Sequence, residues 1–228
     1  MINAQGLPYL DASLPADERV TDLLGRMSIE EKVGQMAQAE RLGLKQASDI
    51  SSLGLGSLLS GGGSVPTDNS ATGWADMVDG YQREALTTRW QVPMIYGVDA
   101  VHGHNNVVGA TIFPHNIGLG ASRDPALVEA VGTVTATEVR ATGVPWTFAS
   151  CLCVTRDERW GRSYESFGED PSLVAAFAAP SVRGLQGTTR PTWARPARCS
   201  RPRSTGSETA GRRTTSPSRA ADTRSTRA

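Results

Sequence analysis

The alternation of short apolar runs with longer amphipathic stretches constrains this chain more than any single residue does. A run from Gly56 to Leu59 ends in Gly61-Gly62-Gly63, and Trp74, Met77, Val78 and Tyr81 then recur at helical spacing. A second run, Pro93 to Val98, leads into a long polar, glycine-rich loop. Asp124-Pro125 then opens a helix carrying Leu127, Val128, Val131 and Val134. A third run, Trp146 to Val154, precedes a helix that Asp170-Pro171 opens and that extends to about Leu185. Strand then helix, three times over, predicts an α/β fold: a parallel sheet with crossover helices. A closed barrel and a doubly wound open sheet both satisfy this order. Both also place functional groups in the loops at the carboxyl ends of the strands.

Two helices precede this pattern. The first begins near Pro15, where a missing N–H costs nothing, and carries Val20, Leu23, Leu24 and Met27 on one side. The second starts with a capping box, Ser28 followed three residues later by Glu31, and takes Val33 and Met36 as its apolar face.

The overall charge balance, 23 basic against 23 acidic side chains, hides an asymmetry. Residues 188–228 hold ten Arg but only Glu208 and Asp222 as acids, which leaves 13 basic and 21 acidic side chains in the rest. The tail contains no Leu, Ile, Val, Phe, Met, Tyr or Lys. Such a segment cannot bury a core, and disorder is expected for it. The sequence thus divides into a folded region, 1–187, and an Arg/Thr/Ser-rich tail, 188–228. An acidic body with a basic tail is not a uniform nucleic-acid-binding surface. The three cysteines are too few and too unevenly placed for a disulfide scaffold, and Cys151 and Cys153 read as small core residues. The N-terminus shows no charged segment followed by an apolar one. A cytoplasmic location is therefore expected for the chain as given, with export open to a longer parent. No apolar run approaches the roughly 20 residues of a membrane span.

Two loops hold the chemistry. After the second run stands Tyr96-Gly97-Val98-Asp99-Ala100-Val101-His102-Gly103-His104. A carboxylate where a strand ends can accept hydrogen bonds from paired ligand hydroxyls, and Asp99 equally suits a turn or a cap. His102 and His104 have the spacing of a metal-binding pair on one side of a strand, but no third ligand completes the set, which favours structural hydrogen bonding. Gly61-Gly62-Gly63 lacks both the GxGxxG pattern and a following Lys-Ser/Thr, so phosphate binding is disfavoured. After the third run, charged residues alternate from Arg156 to Asp170 with Trp160, Tyr164 and Phe167 among them. The aromatics predict an ordered loop in which Arg162 offers a fork of donors.

The segments PYLDASLPADERVTDLLGRMSIEEKVGQM, YGVDAVHGHNNVVGATIFPHNIGLGASRDP, EVRATGVPWTFA and RDERWGRSYESFGEDP resemble successive motifs of the N-terminal domain of family 3 glycoside hydrolases, in the β-glucosidase and exo-β-glucan hydrolase branch. The resemblance spans about Leu7 to Gly187. It implies a partial (β/α)8 barrel of about three βα units and hydrolysis of terminal non-reducing β-D-glucosyl residues with retention. It further implies no metal or organic cofactor, and a β-glucoside or β-glucan oligosaccharide as partner, with no nucleic acid and no membrane. Asp99 and Arg162 take the positions of substrate-binding residues. Ser150 and Cys153 depart from the family's usual APC-x-A-V pattern.

The catalytic residues of the family have no counterpart here. Its nucleophilic Asp, its acid/base and a sugar-gripping Lys-His pair all belong to later motifs. The tail suggests why. Read back into codons and shifted by one base, Ala197 through Arg212 permits TVLATAKHWVGDGGT, which resembles the Lys-His motif. The chain therefore reads as truncated and frameshifted close to Gly187, and inactive alone. Three rival readings remain: a non-functional fragment, a metal-dependent barrel hydrolase using His102 and His104, and a nucleic-acid-binding protein using the tail.

Overall fold

The computed structural model describes residues 7–187. The disorder expected of residues 188–228, and the frameshift read from them, lie outside the described residues.

Each helix start has a local chemical reason. Helix α1 (Ala16–Arg26) begins just after Pro15. Helix α2 (Ile29–Met36) carries the full capping box: Ser28 accepts from the Glu31 amide while the Glu31 carboxylate accepts from the Ser28 amide. Ser70 caps α4 (Ala71–Ala85) by accepting from the Gly73 amide. Asp124 and Asp170 accept amide hydrogens at the starts of α6 (Pro125–Ala141) and α7 (Pro171–Gln186), and proline follows each of them. Two shorter helices, α3 (Asp49–Ser52) and α5 (Asn116–Ser122), lie in connections.

Four strands among the described residues, β1 (Gln38–Glu40), β2 (Ser57–Ser60), β3 (Ile95–Val98) and β4 (Trp146–Thr147), form one sheet in chain order. All neighbours are parallel, with Gln38 opposite Ser57, Ser57 opposite Ile95, and Gly97 opposite Trp146. Parallel strands in chain order with intervening helices make an arc of a (β/α)8 barrel, so the expected α/β class holds.

Tyr96, Gly97 and Val98 are all buried, as in a strand covered on both faces. On one side Leu58, Tyr96 and Val98 pack with Trp74 and Val78 of α4, and with Val139 and Val144. On the other, Trp146 and Phe148 crowd against Gly97: a Cβ there would lie 2.7 Å from the Phe148 ring. A second core joins α6 and α7 through Val128, Val131, Val174 and Phe177, with Phe167 inserted from the preceding loop.

The structure departs from the sequence reading in four places. Strand β1 was not expected; its three residues give too short a period to register. The third run pairs only at Trp146 and Thr147, because beyond β4 no strand among the described residues offers hydrogen bonds. Val33 and Met36 are exposed, as are Val20 and Leu24, so much of the apolar stripes of α1 and α2 faces outward, although Met27 is buried and Leu23 half-buried. What α2 turns inward is Gly34, which lies against the carbonyls of Leu53 and Gly54. Finally, Cys151 and Cys153 are partly exposed and joined as a disulfide rather than buried separately in the core.

Candidate functional site

Asp99 is the first residue beyond β3. Its amide donates to the Ser60 carbonyl (3.2 Å), which extends the sheet ladder by one step and fixes where the side chain leaves the strand. Its own carbonyl accepts from the Asn106 side-chain amide (3.0 Å), and the Asn106 oxygen accepts from the Gly63 amide (3.2 Å). One buried Asn thus ties the loop after β2 to the loop after β3. The Asp99 carboxylate lies beside Gly61, where a Cβ would stand 3.9 Å from Oδ2. Among the described residues no donor reaches this half-buried carboxylate. A half-buried acceptor without such a partner is left to solvent or to an external donor.

His102 and His104 diverge, so the paired-ligand arrangement does not form. His102 directs Nδ1–H at the Phe113 carbonyl (2.9 Å), and its ring lies 4.1 Å from that of His115. His104 is fully buried against the edge of Trp74. The Thr142 hydroxyl donates to the Val139 carbonyl (2.7 Å), so His104 Nε2 must donate to Thr142 Oγ1 (2.9 Å). Burial pushes the His104 pKa down to about 4, and its imidazole is neutral. Among the described residues no cluster of three or more His, Cys, Asp or Glu side chains has the arrangement of a metal site.

Arg162 comes from the loop that follows β4 and immediately precedes a single 3-10 turn, Ser163–Glu165. Glu165 grips it from the side: Nε donates to Oε1 (2.7 Å) and Nη2 to Oε2 (2.6 Å). Glu165 raises the guanidinium pKa most strongly, through its hydrogen bonds, and Asp99 adds a smaller contribution of the same sign. Glu165 is held below the usual carboxylate range, chiefly by Arg162. A small cavity here is lined by Val101, His115, Asn116, Phe148, Arg162 and Glu165. The described residues thus bring the loops after β2, β3 and β4 together at the carboxyl end of the sheet.

Sequence reasoning missed Glu165, Asn106, Asn116 and His115. Glu165 sits in a run of alternating charges, and nothing in such a run marks which charge turns inward. The two asparagines act through backbone groups that only the folded loops bring near.

Residues 28–195 match the glycosyl hydrolase family 3 N terminal domain. The lysosomal beta glucosidase of Dictyostelium discoideum is 35% identical in an alignment 204 positions long that covers 82% of this chain and 24% of that protein. The crystal structure of an exo-1,3/1,4-beta-glucanase from a Pseudoalteromonas species superposes with a TM-score of 0.70 at 44% identity, covering 75% of this chain and 22% of that one. A mutant beta-glucosidase from Listeria innocua in complex with laminaribiose superposes with a TM-score of 0.60 at 30% identity, covering 75% and 24% respectively. The chain therefore spans about a quarter of the length of these relatives.

Proposed function

We propose, from the premise that this chain belongs to glycosyl hydrolase family 3, that it forms the glucose-gripping front of an enzyme that removes terminal β-D-glucosyl residues with retention. The observation that carries this reading is the Asp99 carboxylate, half-buried just beyond the end of β3 and without a donor among the described residues. A glucosyl unit offers adjacent hydroxyl groups that both donate and accept. An ionised carboxylate accepts from two of them, and a guanidinium donates to others.

Retaining chemistry needs two carboxyl groups roughly 5–5.5 Å apart, one attacking the anomeric carbon and one moving the proton. Asp99 binds hydroxyls in this proposal, and Glu165 is committed to Arg162. Neither is free to attack or to shuttle a proton, and in this reading residues 7–187 bind without turning over. The nucleophile and the acid/base then come from outside these residues.

A ligand-observed NMR titration with methyl β-D-glucoside tests the binding half. The parent chain should show saturation transfer from the protein to the sugar, and Asp99→Asn should lose it while remaining folded. Equal transfer to both proteins would remove Asp99 from the site. An aryl β-glucoside assay tests the other half. Turnover by the purified chain that disappears in Asp99→Ala would overturn the claim of inactivity.

A further inference from the structure

We infer that Glu165 is a positioning residue: it fixes the plane of the Arg162 guanidinium so that the remaining donor edge, Nη1 with Nη2, faces the ligand side of the site. The inference rests on the sugar-binding reading above and assigns the part that holds one of its two contacts in place.

The geometry begins with an imbalance of exposure. The Glu165 side chain is 12% exposed, whereas that of Arg162 is 64% exposed. The acid is the anchored partner and the base the held one. Anchoring comes from several directions. The Asn116 side chain donates to the Glu165 carbonyl (2.7 Å), and the Glu165 amide donates to the Arg162 carbonyl (3.0 Å), which closes the turn. Ser166, next in the chain, is fully buried and donates to the carbonyl of Cys153 (2.6 Å). Phe167 then plugs the core edge-on to Phe177. On the other side of Glu165, Tyr164 packs edge-on to His115.

The bonds to Glu165 use the Nε–H and one Nη2–H of Arg162. Of the five guanidinium donors, those on Nη1 and the second on Nη2 remain. They form a second fork whose spacing suits a pair of adjacent hydroxyl oxygens. Without the clamp the long side chain would sample many rotamers, and ordering it would oppose binding. An ion pair with one partner this exposed contributes little to folding stability. The contribution of Glu165 is therefore to orientation, and its removal should leave the fold intact.

Two readouts on the intact chain test the clamp, and glucoside binding separates it from a passive surface pair. The first is hydrogen exchange at Arg162 Nε. It should quicken by about fivefold in Glu165→Ala, the change that loss of an exposed pair supplies, with little shift in thermal midpoint. The second is the titration of His115, which faces His102, Tyr164 and Glu165 and lines the cavity with Arg162. Burial and then His102 lower its pKa, while Glu165 opposes them. Glu165→Gln keeps the shape but removes the charge, so the His115 midpoint should fall further. Methyl β-D-glucoside should bind Glu165→Gln more weakly than the parent, and Glu165→Asp should recover part of the loss.

Equal Nε exchange in parent and Glu165→Ala would overturn the clamp. Quickened exchange with unchanged glucoside binding would overturn its role in positioning. A parent chain that binds no glucoside would instead sink the sugar-binding reading, and the exchange rates would still decide whether Glu165 holds Arg162.

Discussion

Among single residues, the two candidate contacts differ in how they are held. Asp99 is placed by the backbone, through a ladder hydrogen bond to Ser60, so its position follows from the sheet. Arg162 is placed by a side chain, Glu165, through two parallel bonds that need a planar fork. A lysine is a point charge on a flexible stem and cannot make that pair of bonds. Arg162→Lys should therefore weaken glucoside binding by about tenfold, as expected for losing a hydrogen bond to a charged group worth roughly 1.5 kcal/mol. Binding that matches the parent, measured by titration, would show that only diffuse charge matters at this position. The sequence nominates both as candidates, because each stands after a predicted strand in a motif that resembles the family's. Their partners it does not nominate. A carboxylate that reaches back three residues, or an Asn that joins two loops through main-chain atoms, leaves no periodic signal. His102 and His104 illustrate the opposite problem. A spacing of two suggests convergence only on a straight strand, and here the chain turns at Gly103, whose φ is +96°.

Elements were read most surely where polar chemistry marks their ends. Ser28, Asp124 and Asp170 all cap helices as the sequence predicts, because a cap depends on neighbours a few residues away. Strand lengths and buried faces depend on partners far along the chain, which explains the missed β1, the shortened β4 and the outward stripes of α1 and α2. The packing of α6 on α7 was equally invisible. It runs through two glycines: a Cβ on Gly184 would stand 2.4 Å from the Glu129 carbonyl and 3.0 Å from the Gly132 Cα. Backbone cannot yield there as a flexible side chain would. Gly184→Ala should force the helices apart and cost about 1–3 kcal/mol, set against a gain in helix propensity of roughly 1 kcal/mol. Chemical denaturation measures the net loss, and a variant as stable as the parent would mean that the helices are not so closely packed. Arg183, one residue earlier, pairs with Glu129 across the same contact (2.8 Å), but both are partly exposed and the pair adds little.

Across the described residues the parallel sheet ends at β4, whose outer side meets no further strand among them. Ile95, Trp146, Leu152 and Val182 are exposed along that margin, beside a groove of about 740 Å3. Exposed apolar surface of this kind on a strand edge is what a following βα unit would cover. The Pseudoalteromonas exo-1,3/1,4-beta-glucanase, 44% identical over the match, extends well beyond it, since the match covers 22% of that chain. A chimera in which residues 7–187 of this chain replace the matching part of that enzyme puts the sugar-binding role of Asp99 to a catalytic test, since it supplies whatever groups the reaction needs beyond this segment. With Asp99 present, the chimera should hydrolyse an aryl β-glucoside. With Asp99→Asn, which keeps the shape and removes the charge, kcat/KM should fall by roughly ten- to a hundredfold, the loss of a charged hydrogen bond to a sugar hydroxyl. An Asp99→Asn chimera that folds and keeps the full kcat/KM would contradict the assignment of this segment as the glucose-gripping front of the enzyme.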